Sequence, residues 1–188
     1  WNHPNMPWDS TELRVRPNCG RITNYARITN PLPWDSSSAE TDAHELVAGG
    51  DGDMLSIGGN HLMHVIRRNV DVQVLLFNNE IYGLTKGQAS PTSRAGTRSP
   101  STPLGSVDNP VSACVFVLGA GARFVARGID AQQKDLPGIL KRAHEHNGAS
   151  FVEILQNCIV YNDGVFADIT EKAIAADRQV VCRHGEPL

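Results

Sequence analysis

The sequence predicts an α/β fold with a mostly parallel, doubly wound sheet, and three observations carry that prediction. From Gly49 onward, strand-like and helix-like segments alternate, the pattern of a parallel sheet with crossover helices. Val70 to Phe77 is a near-continuous apolar run, as in a strand buried on both faces. Gly49-Gly50-Asp51-Gly52-Asp53 sits where one strand should run into a helix, and Asn78-Asn79-Glu80-Ile81 ends the next strand. Asp51 and Asn79 are 28 positions apart, the length of one β-α-β unit. Parallel neighbouring strands bring both to the carboxyl edge of the sheet, where open α/β sheets bind ligands.

The elements follow in order. Residues 1–48 read as an irregular or disordered segment: Pro4, Pro7, Pro17, Pro31 and Pro33 break any long element and apolar periodicity is absent. Within it Glu45-Leu46-Val47-Ala48 is a reduced first strand. Residues 49–188 read as one α/β domain. Leu55 to Arg68 reads as a helix with Ile57, His61, Leu62, Val65 and Ile66 on one stripe. Gly83 to Pro110 is a long loop rich in Ser, Thr, Gly and Pro, expected to pass over a ligand at the sheet edge. Pro110 to Gly119 reads as a short helix with proline at its start, and Ala122 to Ile129 as a strand. Asp135 to His146 reads as an amphipathic helix, Ser150 to Gln156 as a strand and Asp168 to Ala176 as a last helix.

Composition narrows the function classes. The chain has 188 residues, 40% of them hydrophobic, enough for a real core. A net charge of −3 with no basic run gives no electrostatic case for nucleic acid. No apolar stretch is long enough to span a bilayer, and the polar, Pro-rich start does not resemble a secretory signal. The expectation is a cytoplasmic protein with no membrane partner. The four cysteines, Cys19, Cys114, Cys158 and Cys182, form no Cys-x-x-Cys.

The chemistry sits in the two edge motifs. A hard divalent cation takes oxygen ligands, and Mg²⁺ takes them near-octahedral, usually with phosphate oxygens in the set. Asp51 offers a carboxylate, Asn79 an amide oxygen and Ile81 a backbone carbonyl, with Asn78 as a support behind them. Gly50 and Gly52 permit close approach of a phosphate, and the N–H groups from Asp53 onward can receive its charge. The competing reading is a tight strand-to-helix turn that uses Asp51 as a cap. Thr85 and Lys86, just past the second motif, offer a hydroxyl and an ammonium that could reach phosphate oxygens; the competing reading is a solvated loop.

Gly-Asp-Gly followed by a double Asn resembles the diphosphate-binding motif of thiamine diphosphate enzymes. Further blocks narrow the resemblance: Ile57-Gly58-Gly59-Asn60-His61, Arg67-Arg68-Asn69-Val70, Ile81-Tyr82-Gly83-Leu84-Thr85-Lys86-Gly87-Gln88 and Ser90-Pro91-Thr92. Together they resemble the β subunit of a 2-oxoacid:ferredoxin oxidoreductase, most like the 2-oxoglutarate type, from about Gly49 to the C-terminus.

The resemblance implies a thiamine diphosphate-binding fold that holds Mg²⁺ through Asp51, Asn79 and Ile81. It implies a cofactor grip from Gly50, Asp51, Gly52, Asp53, Asn79, Ile81, Gly83, Leu84 and Thr85. It implies oxidative decarboxylation of a 2-oxoacid to acyl-CoA, with coenzyme A as acceptor and electrons passed to ferredoxin. No catalytic residue is implied in this chain alone; a partner α subunit would bind the aminopyrimidine and complete the site. Cys158 matches a family ligand to a [4Fe-4S] cluster. The family's N-terminal Cys-Pro-Gly-Cys, a further cysteine and a His-Gly-Arg block have no counterpart in residues 1–48, so a cluster in this chain does not follow. Two alternatives stay open: a degenerate, non-catalytic subunit lacking the cluster, and another thiamine diphosphate-dependent decarboxylase.

Overall fold

The computed structural model describes residues 45–182. Four strands form one sheet: β1 (Glu45–Gly50), β2 (Val72–Asn78), β3 (Phe124–Ile129) and β4 (Ser150–Leu155). All neighbours are parallel, in the order β1-β2-β4-β3. The predicted parallel α/β architecture is the one observed. β1 begins at Glu45, ahead of the boundary expected at residue 49; the remainder of the N-terminal segment, residues 1–44, lies outside the described residues.

The sheet is doubly wound because its central strands are apolar on both faces. β2 is buried at every position. Its Val74 and Leu76 point to one side, with Phe151 of β4, and meet α1 (Asp51–Leu55), α2 (Gly59–Arg67) and α3 (Ala113–Gly119) through Met54, Leu62, Ile66, Ala113 and Val117. Leu75 and Phe77 point to the other side, with Val152 and Ile154, and meet Leu136 and Ala143 of α4 (Leu136–His144). The period-two alternation of a strand thus splits one apolar run between two cores. Gln73 Nε2 ties β2 to α4 by donating to the Leu140 carbonyl at 3.1 Å.

Three local expectations are corrected. The helix read over Leu55–Arg68 is two helices. The chain turns at Ser56, where φ and ψ are −94° and −100°, and Ile57 is 89% exposed rather than on the buried stripe. Gly58 makes the turn possible, because a Cβ there would lie 2.6 Å from the Asp53 carbonyl oxygen. The helix read from Pro110 starts at Ala113, after extended Ser112. The last helix is two short ones, α5 (Ala167–Thr170) and α6 (Ala175–Arg178), neither with a buried residue. No helix among the described residues is long and apolar enough to cross a membrane.

Candidate cofactor and metal site

The β1–β2 register pairs Gly50 with Phe77, so Asp51 and Asn79 leave adjacent strands at the same edge. They touch: the Asn79 N–H donates to Asp51 Oδ1 at 3.5 Å. Asp51 is 1% exposed, and burial pushes its carboxyl above the usual range, with the hydroxyls of Ser90 and Thr92 and the Asn79 N–H pulling the other way. Among the described residues no Lys, Arg or His pairs with it. A buried carboxylate without a counter-charge is costly, and a bound cation is the partner its chemistry fits.

The other proposed oxygens lie on the same loop. Asn79 Oδ1 accepts from the Ile81 N–H at 3.2 Å, and the Ile81 carbonyl accepts no hydrogen bond among the described residues. Glu80, between them, has φ of +54°, a backbone that few non-glycine residues adopt. Asn78 is the anchor beneath: its Nδ2 donates to buried Glu153 at 2.8 Å, and its Oδ1 accepts from the Glu80 N–H at 3.1 Å. No group of three or more His, Cys, Asp or Glu among the described residues could hold a metal. The donor set here is one carboxylate, one amide and one carbonyl, which suits a cation completed by phosphate and water oxygens rather than a protein-enclosed one.

The two glycines of the motif differ. Gly50 has φ of −77° and a Cβ there would meet nothing within 4 Å, so neither its backbone nor the protein's packing demands glycine; the space beside it is open. Gly52 is demanded by packing: a Cβ would lie 2.2 Å from the Tyr82 ring. Tyr82 in turn donates its hydroxyl to the Gly52 carbonyl at 3.1 Å. The start of α1 carries no side-chain cap, and Asp53 is half-buried with its carboxyl raised by that burial.

Gly83, Leu84 and Thr85 form a tight turn closed by the Tyr82 N–H on the Gln88 carbonyl, 2.9 Å, and the Gly87 N–H on the Tyr82 carbonyl, 2.8 Å. Leu84 is 58% exposed, and the Thr85 hydroxyl is taken by Gln88 Oε1. The turn reaches the Gly-Asp-Gly motif through Tyr82, not through Thr85. Cys158 is fully buried in the segment after β4, where the Gln156 N–H donates to the Asn78 carbonyl at 2.8 Å and Asn162 Nδ2 to the Asn79 carbonyl at 2.9 Å.

Sequence reasoning missed the residues that plug the site from the long loop. Thr92 Oγ1 lies 2.6 Å from Asp51 Oδ2 and 3.0 Å from Asn78 Oδ1. Ser90 stands behind it at 3.2 Å, and the Ser93 hydroxyl donates to the Glu80 carbonyl. The long loop read as passing over a ligand at the sheet edge thus supplies the hydroxyl that meets Asp51 and Asn78. Ser90-Pro91-Thr92 was visible as a block without a role. Arg127 Nε also donates to Glu153 Oε2 at 2.7 Å, on one wall of a cavity of about 290 Å³ that Asn78, Thr92 and Arg94 also line.

The chain is similar to known proteins. The model of the family described as "Thiamine pyrophosphate enzyme, C-terminal TPP binding domain" matches residues 36–154. The chain is 52% identical over 150 residues to the 2-oxoglutarate oxidoreductase subunit KorB of Mycobacterium tuberculosis, covering 80% of this chain and 40% of that protein. It is 41% identical over 123 residues to the 2-oxoglutarate synthase subunit KorB of Methanocaldococcus jannaschii, covering 65% and 46%. A solved structure, the 2-oxoglutarate:ferredoxin oxidoreductase from Magnetococcus marinus with 2-oxoglutarate, coenzyme A and succinyl-CoA bound, superposes with a TM-score of 0.62 at 41% identity, covering 64% of this chain and 43% of that one. The chain thus spans less than half the length of these relatives. With the matched family model running from ahead of β1 almost to the end of β4, the chain belongs to the thiamine pyrophosphate enzymes, as their C-terminal TPP-binding domain.

Proposed function

We propose that this chain is the cofactor-holding part of the β subunit of a 2-oxoacid:ferredoxin oxidoreductase, acting on 2-oxoglutarate and coenzyme A together with an α subunit. One observation carries the reading: a fully buried Asp51 carboxylate, paired with no Lys, Arg or His among the described residues, touches Asn79 at the carboxyl edge of the sheet. Relatives named for 2-oxoglutarate chemistry support the substrate class.

In this reading Asp51, Asn79 and the Ile81 carbonyl hold Mg²⁺, and the cation with the uncapped start of α1 holds the diphosphate. Gly50 leaves room for the diphosphate, and Tyr82 fixes the Gly52 carbonyl so that the motif keeps its shape. Thr92 holds the Asp51 carboxylate in one orientation. The bound cofactor supplies a carbon nucleophile and an electron sink for decarboxylation. This chain contributes grip and orientation, and the partner subunit contributes the groups around the aminopyrimidine. The test is the purified complex with its α subunit. Reduction of ferredoxin that requires 2-oxoglutarate, coenzyme A and Mg-thiamine diphosphate together is expected; loss of none of it in Asp51→Ala would refute the assignment.

A subunit without its own cluster is a second reading with one observation in its favour. A [4Fe-4S] cluster takes four thiolates. Cys158 as a ligand would need all three other cysteines, yet Cys158 is itself disulfide-bonded and Cys114 is held by Glu153 at 3.1 Å with its thiol pushed up to about 12; Cys19 lies outside the described residues. Iron and acid-labile sulfide measured on the same complex decide between the two readings.

A further inference from the structure

Glu80 is the residue between the two proposed cation ligands Asn79 and Ile81, and its positive φ makes its conformation one that must be imposed. Three contacts impose it. Its N–H is held by Asn78 Oδ1 at 3.1 Å, its carbonyl by the Ser93 hydroxyl, and its carboxylate by Arg94 Nε at 3.1 Å. Arg94 has a second hold. Its Nη1 and Nη2 donate to the two Asp168 oxygens at 3.0 and 3.2 Å, and Nη2 also donates to the Val165 carbonyl at 2.7 Å. One planar guanidinium therefore joins the ligand loop to the segment that opens α5, with a bidentate geometry that lysine does not reproduce.

Phe166 seats this segment: it is buried and lines the same cavity as Leu155 of β4 and Arg127 of β3, while α5 itself has no buried residue, and the polar tie from the segment to the ligand loop runs through Arg94. The ion pair between Arg94 and Asp168 is half-exposed on both sides, so its worth as stability is small. Its geometric effect is on Glu80, whose carboxylate is far less exposed.

We propose that Arg94 is a positioning residue for the cation site, which sets the Asn79-Glu80-Ile81 loop by gripping Glu80 and makes that setting depend on docking of the Val165–Asp168 segment. The proposal rests on the reading of Asn79 and Ile81 as cation ligands for its consequence in binding, while its structural half stands without any cofactor.

Two measurements separate those halves. The first is amide hydrogen exchange in the full chain without cofactor, followed at Glu80 and Ile81 and at the β2 amides. Arg94→Gln and Asp168→Asn are expected to speed exchange several-fold at Glu80 and Ile81 and to leave β2 unchanged, because the opening is local. Arg94→Lys is expected to rescue only part of the protection. Unchanged exchange at Glu80 and Ile81 in both variants, or equal acceleration through β2, overturns the proposal. The second is the Mg²⁺ concentration giving half-maximal thiamine diphosphate binding in the complex with the α subunit. Arg94→Gln should raise it about tenfold, the scale on which supports behind metal ligands act, and Asp168→Asn by less. A wild-type complex that binds without Mg²⁺ overturns the cation reading and this consequence together. Mg²⁺-dependent wild-type binding with unshifted variants overturns the positioning role alone.

Discussion

Thr92 Oγ1 and Asp51 Oδ2 are 2.6 Å apart, a contact that joins residues 41 positions apart and fixes one oxygen of a carboxylate that solvent does not reach. The same hydroxyl is 3.0 Å from Asn78 Oδ1, but it has one proton to give. When Asp51 is ionised that proton belongs to Asp51, because a charged acceptor binds it more strongly. Thr92→Val keeps the shape and removes the proton. It should destabilise the fold by about 1–3 kcal/mol, the cost of leaving a buried acceptor unsatisfied. Thr92→Ser should restore most of that, and denaturant unfolding of the three proteins measures it.

The two motif glycines should separate folding from binding. Gly52→Ala forces Tyr82 away from its 2.2 Å encounter with the new Cβ and breaks its bond to the Gly52 carbonyl. We expect a loss of about 1–3 kcal/mol of stability, as for other overpacked sites. Gly50→Ala meets nothing, so its unfolding midpoint should stay near wild type while thiamine diphosphate binding weakens. Paired unfolding curves and binding isotherms check both halves.

Glu153 is 1% exposed in the middle of β4 and takes donors from Asn78, Cys114 and Arg127. Glu153→Ala leaves the Asn78 amide group buried without its acceptor and Arg127 without its counter-ion. Arg127 is half exposed and water can take over its charge, so the cost should be about 1–3 kcal/mol, the scale for a buried polar group left without its partner. Because Asn78 also holds the Glu80 N–H, the variant should weaken cofactor binding as well, which Gln at this position should largely spare.

Cys114 gives a pH prediction. Burial first, and the Glu153 charge second, raise its thiol from the ordinary 9.0 to about 12. The folded state therefore keeps a proton that the unfolded state releases. The stability this thiol contributes is complete below pH 9 and is lost as pH rises from there towards 12. At pH 8, iodoacetamide followed by peptide mapping should label exposed Cys182 and spare Cys114.

These contacts show what the sequence made legible. Asp51 and Asn79 stood out because strand, helix and strand impose a spacing, and a spacing can be read without coordinates. The two-faced burial of β2 was legible because its apolar run admits few other placements. Ile57 misled for the same reason: its position continues the apolar period of the helix, and the turn at Ser56 and Gly58 depends on a local steric fact that periodicity does not carry. Thr92, Ser93 and Arg94 were hidden because they lie in a loop without period, and their roles depend on where that loop folds back. Glu153 left one unused signal, a single acidic residue in the otherwise apolar Phe151-Val152-Glu153-Ile154-Leu155.

The most direct test of the central claim is calorimetric titration of thiamine diphosphate into the complex of this chain with the proposed α subunit, in Mg²⁺ and in EDTA, for wild type, Asp51→Ala and Asn79→Ala. The account predicts binding by wild type in Mg²⁺, none in EDTA, and none or severely weakened binding by either variant. Equal binding in EDTA, or undiminished binding by Asp51→Ala, would contradict a cation site built on Asp51 and Asn79.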